Sequence, residues 1–189
     1  MIFLASQSPR RRELLSQIGV SFDVLHVDVP EQRLPAEPAL DYVSRVAHEK
    51  AGAGLLQVAG RPAARVIGAD TEVVLDGEVF GKPADAADAS RMLQRLAGRS
   101  HQVISVVWLL SAEREARAVC ESTVRFASLS SAQVADYVDR GEWRGKAGGY
   151  AIQGRAAAFI SHLSGSYSAV MGLPLHETAQ LLGTLAGRR

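Results

Sequence analysis

The sequence predicts an α/β protein, a mixed twisted sheet with helices on both faces and two lobes around a cleft. Three observations predict it. Strand-like and helix-like segments alternate along most of the chain, which calls for a sheet covered by helices. Hairpin signals in the middle of the chain put antiparallel neighbours into the sheet and exclude an all-parallel one. The 189 residues, 47% hydrophobic and 22% charged, suffice for one packed domain over residues 1–189 built as two small lobes.

Residues 2–5 are a short apolar run and read as a buried strand. Ser8 is a good N-cap and Pro9 suits the first helical position. Leu14, Leu15 and Ile18 then share a helical face, and Gly19 can end the helix in a left-handed cap. Residues 22–29 read as a strand and 31–38, polar and proline-bearing, as a loop. A helix is expected over residues 39–58, with Tyr42, Val43, Val46 and Ala47 on one face. Residues 66–69 form a strand that runs into Asp70 and Thr71. Asp76-Gly77 between two apolar runs is a two-residue hairpin signal. Helical spacing of Ala89, Met92, Leu93 and Leu96 predicts a helix over 85–96. Residues 101–110 and 118–126 read as two long strands, and 130–138 as a helix capped by Ser130. The stretch 141–154 holds five glycines and little period. Residues 156–163 read as a strand. Pro174 opens a last helix with Thr178, Leu181, Leu182 and Leu185 on its face.

Charge and cysteine use narrow the function. The formal net charge is +1, so no global field draws nucleic acid or a membrane surface. No apolar run reaches the ~20 residues of a membrane helix. The one cysteine, Cys120, excludes an internal disulfide, and the five histidines lack metal-ligand spacing. A cytoplasmic protein acting on a small molecule, without nucleic acid or membrane partners, fits these limits.

Four places can carry chemistry. Around Ser6, Ser8, Arg10, Arg11 and Arg12, a helix N-terminus offers free amides and the positive end of its dipole. Arginines in a first turn oppose that dipole unless an anion compensates, and guanidinium forks suit phosphate. Asp70, followed by Thr71, stands where open α/β sheets place ligands, and it can hold Mg²⁺ or take a proton from water. Read alone it would be an ordinary turn aspartate. Lys82, between Gly81 and Pro83, sits on a stiff loop; Lys50 and Glu31 gain meaning only in its company. In residues 145–154 the glycines allow close backbone approach to a ligand, while Tyr150 offers a stacking face and Gln153 an amide that can read a base edge. Neither a P-loop nor a Rossmann glycine pattern is present.

These sites, in this order, resemble the Maf family of nucleotide pyrophosphatases. The segments are Ala5-Ser6 with Ser8-Pro9-Arg10-Arg11-Arg12, Arg45-Val46-Ala47 with Lys50-Ala51, Gly68-Ala69-Asp70-Thr71, Gly81-Lys82-Pro83, Lys146-Ala147-Gly148 through Ile152-Gln153-Gly154, and Gly165-Ser166-Tyr167 with Gly172-Leu173-Pro174-Leu175. The resemblance implies hydrolysis of a nucleoside triphosphate to monophosphate and pyrophosphate with a divalent cation, Mg²⁺, Mn²⁺ or Co²⁺. It implies Asp70 as proton acceptor; the carboxylates of Asp70 and Glu31 are the expected metal ligands. The nucleotide is then expected on Ser8, Arg11, Arg12, Lys50, Thr71, Lys82 and Gln153. The fourth motif resembles the dTTP- and UTP-preferring branch, in which Arg12, Thr71 and Gln153 bear on substrate choice. A homodimer is a family-level expectation. A nucleotide-binding regulator of cell division without turnover and a pyrophosphatase for non-standard purine triphosphates are the alternatives. Three places depart from the family pattern: Glu72 at a usually apolar position, Ala156-Ala157 for glycines, and Ser105-Val106-Val107 for Thr-Gly-Val. They are expected to touch the base pocket and to leave the phosphate and metal groups alone.

Overall fold

The computed structural model describes residues 1–183. Its strands are β1 (Ile2–Ala5), β2 (Phe22–Leu25), β3 (Arg65–Leu75), β4 (Glu78–Phe80), β5 (Ser100–Leu110), β6 (Glu115–Phe126) and β7 (Ile160–Ser164). Its helices are α1 (Pro9–Gln17), α2 (Ala39–Gln57), α3 (Ala86–Leu96), α4 (Ser131–Asp139), α5 (Tyr167–Met171) and α6 (Leu175–Leu182). Leu185, expected on the face of the last helix, lies outside the described residues.

All seven strands form one mixed sheet in the order β2-β1-β3-β5-β6-β7, with β4 paired to β3. β1 runs parallel to β2 and β3, and the remaining pairs are antiparallel. The expected fold class therefore holds. The β3–β4 turn is Asp76-Gly77, both with positive φ (52° and 78°), as a two-residue hairpin requires.

β3, β5 and β6 run 11, 11 and 12 residues and tie two separate cores together. At one end Leu4, Leu14, Leu15, Ile67, Val107 and Leu173 pack together. At the other, Val73, Leu75, Phe80, Leu93, Phe126 and Tyr137 do the same. α2 covers the opposite face, where Val43, Val46 and Ala47 meet Val74, Ile104 and Val106.

Between the cores the sheet has a gap. On the edge of β3 away from β5, β1 pairs with residues 65–67 and β4 with residues 73–75. No strand among the described residues pairs with residues 68–72 on that edge. This is where the cleft enters, and it corrects one expectation. Asp70 does not close a strand ending at residue 69; it sits in the middle of a continuous one, because β5 pairs it through that stretch.

Other differences have local causes. β2 stops at Leu25 rather than 29, because β1 offers only four partners. Residues 156–159, read as the start of a strand, belong to a 3₁₀ turn over Arg155–Phe159, and β7 begins at Ile160. α5, too short to show a helical period, is capped by Ser166, whose side chain accepts from Ala169 N–H.

Candidate active site

The cleft holds about 540 Å³ and is lined from the N-terminus of α1, the open stretch of β3, the loops bearing Glu31 and Lys82, and residues 145–153. Its floor follows from strand alternation. The side of β3 facing α2 carries Val66, Gly68, Asp70, Glu72 and Val74. Gly68 permits the approach: a Cβ there would lie 2.3 Å from the Ala47 carbonyl oxygen and 2.5 Å from Ala51 N. One turn of α2 is thereby pressed against β3, and Lys50 lands on Asp70.

Lys50 is 7% exposed. Its ammonium donates to Asp70 Oδ1 at 2.7 Å and meets Glu31 Oε1 at 2.6 Å. Lys82 donates to Glu31 Oε2. Burial opposes the charge on Glu31, but Lys50 and Lys82 together outweigh it and hold the carboxyl at about 2. Both Glu31 oxygens are thus engaged by lysines. In this arrangement Glu31 spaces the two lysines.

Arg11 lies under the same floor. Its Nε donates to the Gly172 carbonyl at 2.8 Å, a terminal nitrogen lies 3.4 Å from Ser6 Oγ, and another lies 4.0 Å from Asp70 Oδ1. Burial lowers its pKa, against the pull of Asp70, Glu31 and Glu72. Arg10 donates from Nε to the Met171 carbonyl at 3.1 Å. The end of α5 therefore holds both arginines at the mouth of α1, whose cap Ser8 accepts from Arg11 N–H at 3.5 Å. Arg12 is exposed and does not line the cleft. At about 100° per residue, the helix aims residues 10 and 11 inward and residue 12 away. Arg10, beside Arg11, is the second arginine that lines the cleft.

Thr71 lies on the other face of β3 and also lines the cleft. Its hydroxyl shares a 2.6 Å hydrogen bond with Ser105, which donates to the Ala169 carbonyl at 2.6 Å. The Thr71–Ser105 chain fixes α5 to the sheet, and with it the carbonyls that hold Arg10 and Arg11.

The glycine-rich wall differs from expectation. Gly148 and Gly149 face protein: a Cβ would meet Val73 from the first and Pro83 from the second. Their positive φ values (68° and 72°) let the chain fold back, not approach a ligand. Tyr150 is 6% exposed, and its hydroxyl hydrogen-bonds His101 Nε2 at 2.8 Å while its ring packs edge-on against Phe126. Its ring is packed into the core and only its margin lines the cleft. Gln153 lines the cleft, is exposed, and has no hydrogen bond among the described residues.

Glu72 is the residue that sequence reasoning set aside. It lines the cleft two positions from Asp70 and is 5% exposed. Burial, then the Asp70 charge, pushes its carboxyl up to about 8, although Lys82 and Lys50 pull it down. Asp70 Oδ2 and Glu72 Oε2 are both buried without a hydrogen-bond partner. Such oxygens suit a hard divalent cation. Among the described residues no three His, Cys, Asp or Glu side chains are grouped to hold a metal. A cation here would therefore complete its shell with substrate phosphate oxygens and water, the usual arrangement for Mg²⁺ with nucleotides.

A helix N-terminus, two arginines, two lysines and a half-free carboxylate around one cleft define a polyphosphate-binding α/β protein. The chain belongs to the Maf family: the family described as Maf-like protein matches residues 1–185. It is 58% identical over 184 residues to a "dTTP/UTP pyrophosphatase" of Xanthomonas axonopodis pv. citri, covering 96% of this chain and 97% of that one. It is 55% identical over 185 residues to a "Nucleoside triphosphate pyrophosphatase" of Xylella fastidiosa, covering 97% and 98%. Among solved structures, the Staphylococcus aureus Ham1 protein matches 69% of this chain and 72% of its own at 18% identity and a TM-score of 0.43. No helix of the described residues is long and apolar enough to cross a membrane.

Proposed function

We propose that this protein hydrolyses nucleoside triphosphates, dTTP and UTP foremost, at the α–β phosphoanhydride, releasing the monophosphate and pyrophosphate. The observation that carries the reading is the buried Lys50–Asp70 pair on the cleft floor. Lys50 holds Oδ1 and leaves Oδ2 free. A carboxylate with one oxygen fixed and one open, set among cations, is built to act on something anionic. The names of the similar proteins point the same way.

The chemistry follows from the residues present. A triphosphate carries about four negative charges, which must be neutralised before water can approach phosphorus. Arg10, Arg11, Lys50, Lys82 and the positive end of the α1 dipole supply that neutralisation. Water attacks the α-phosphorus, its proton passes to the Asp70 carboxylate, and the bond from the α-phosphorus to the bridging oxygen breaks as pyrophosphate leaves. Asp70 and the phosphates would hold Mg²⁺, Mn²⁺ or Co²⁺, which when bound would add charge neutralisation and a more acidic water. Gln153 at the rim offers a donor and an acceptor on one amide, matching O4 and N3–H of uracil or thymine. A cytoplasmic location is part of this reading.

The test is pyrophosphate release from dTTP, UTP, CTP, GTP and ATP, with and without EDTA. The expected result is kcat/KM highest for dTTP and UTP and activity abolished by EDTA. Tight nucleotide binding with no pyrophosphate from any of the five would leave a binding protein and refute turnover.

A further inference from the structure

We infer that Glu72 is a second carboxylate ligand of the cleft cation, beside Asp70. The inference rests on the metal-dependent reading above and goes beyond it.

The fold asks for an apolar side chain at position 72. The row facing α2 is Val66, Gly68, Asp70, Glu72 and Val74, and its neighbours across the interface are Tyr42, Val43 and Val46. An apolar residue at 72 would continue that row at no cost. A carboxyl group there is desolvated, and its Oε2 has no hydrogen-bond partner. Burial without a partner weakens a fold, and a second carboxylate two residues away on the same face adds repulsion.

The cations nearby do not relieve Glu72. Lys50 is committed to Asp70 Oδ1 and Glu31 Oε1, and Lys82 to Glu31 Oε2. Arg11 is held by Gly172 and Ser6, with Asp70 as its nearest acid. Every ion pair in the cleft thus ends on Glu31 or Asp70. The free atoms are Asp70 Oδ2 and Glu72 Oε2, on side chains roughly 7 Å apart along one strand face. Both line the same cleft. Two unpaired buried oxygens opening on a polyphosphate site are what a Mg²⁺-nucleotide requires from a protein: one or two carboxylates, with the phosphates and water doing the rest.

The experiment reads metal binding directly. Mn²⁺ is titrated into the full-length protein and free Mn²⁺ followed by electron paramagnetic resonance. The proteins are the wild type, Glu72→Gln, Glu72→Leu and Asp70→Asn, each checked for folding by circular dichroism. Titrations run alone and with a non-hydrolysable α,β-imido analogue of dUTP. The expected result is a Mn²⁺ Kd raised tenfold or more in each variant. In EDTA, the Glu72 variants should bind the analogue about as tightly as wild type, since only the cation contact is lost. Glu72→Leu, which continues the apolar row, keeps the test open if Glu72→Gln does not fold. Unchanged Mn²⁺ affinity in the Glu72 variants with weakened affinity in Asp70→Asn would overturn the role of Glu72 and leave the metal site standing. Unchanged affinity in all three would overturn the metal reading itself.

Discussion

The two ends of the cleft are built differently. At the phosphate end the cations are fixed before substrate arrives: Arg10 and Arg11 on the carbonyls of Met171 and Gly172, Lys50 on Asp70 and Glu31, Lys82 on Glu31. At the base end Gln153 is exposed and has no hydrogen bond among the described residues. The difference teaches where each kind of discrimination resides. Charges arranged in advance cost no reorganisation when negative charge develops, so the phosphate end should set the rate. An amide free to turn discriminates only as far as the bound base fixes it, so the base end should set a modest preference.

Substitutions sharpen this contrast in order of size. Asp70→Asn keeps an oxygen for Lys50 but removes the proton acceptor. It should lower kcat on the order of 10²-fold or more with folding intact. A folded variant with a near-normal rate would break the phosphate-end account. Arg11→Ala removes a charge-assisted contact and should raise KM roughly tenfold to a hundredfold. Arg12→Ala, an exposed side chain outside the cleft, should change it by no more than about twofold. Steady-state kinetics on the pair decides, and a larger loss in Arg12→Ala would show that the helix presents a different face. At the base end, wild type should favour UTP over CTP by roughly tenfold, and Gln153→Ala should flatten that ratio without altering the EDTA effect. A ratio unchanged by the substitution would remove Gln153 from base reading.

The smallest effect concerns the wall behind the base. Burial holds His101 at about 4, so the folded chain refuses a proton that the unfolded chain takes up near its ordinary value of 6.5. Its contribution to stability is full above that value and is lost as pH falls from about 6.5 to about 4. Between pH 7 and pH 5 the linkage amounts to about 2 kcal/mol. His101→Phe should remove that part of the pH dependence in urea unfolding. Equal pH dependence in the two proteins would show that His101 titrates normally.

Much of this architecture was legible in the sequence because it rests on local signals. Ser8-Pro9, Asp76-Gly77 and the Ser130 cap placed their elements, and the order of motifs brought Asp70, Lys50, Lys82 and Glu31 into one cleft. What was not legible depended on partners distant in sequence. β3 read as ending at Asp70 because three polar residues interrupt an apolar run; only pairing with β5 shows it continuing. Glu72 read as a harmless departure because strand alternation cannot say that its face is covered by α2. Tyr150 read as a stacking surface because its partner His101 lies 49 residues away. The place of Arg10 in the cleft needed the carbonyl at the end of α5, a helix too short to show a period.

The central claim is that water attacks the α-phosphorus with Asp70 as proton acceptor. It is tested most directly by a single turnover of dTTP in ¹⁸O-water, with the products resolved by mass spectrometry. One ¹⁸O in the monophosphate and none in pyrophosphate is the predicted result. Label in pyrophosphate, which means attack at the β-phosphorus, or release of labelled orthophosphate would contradict it.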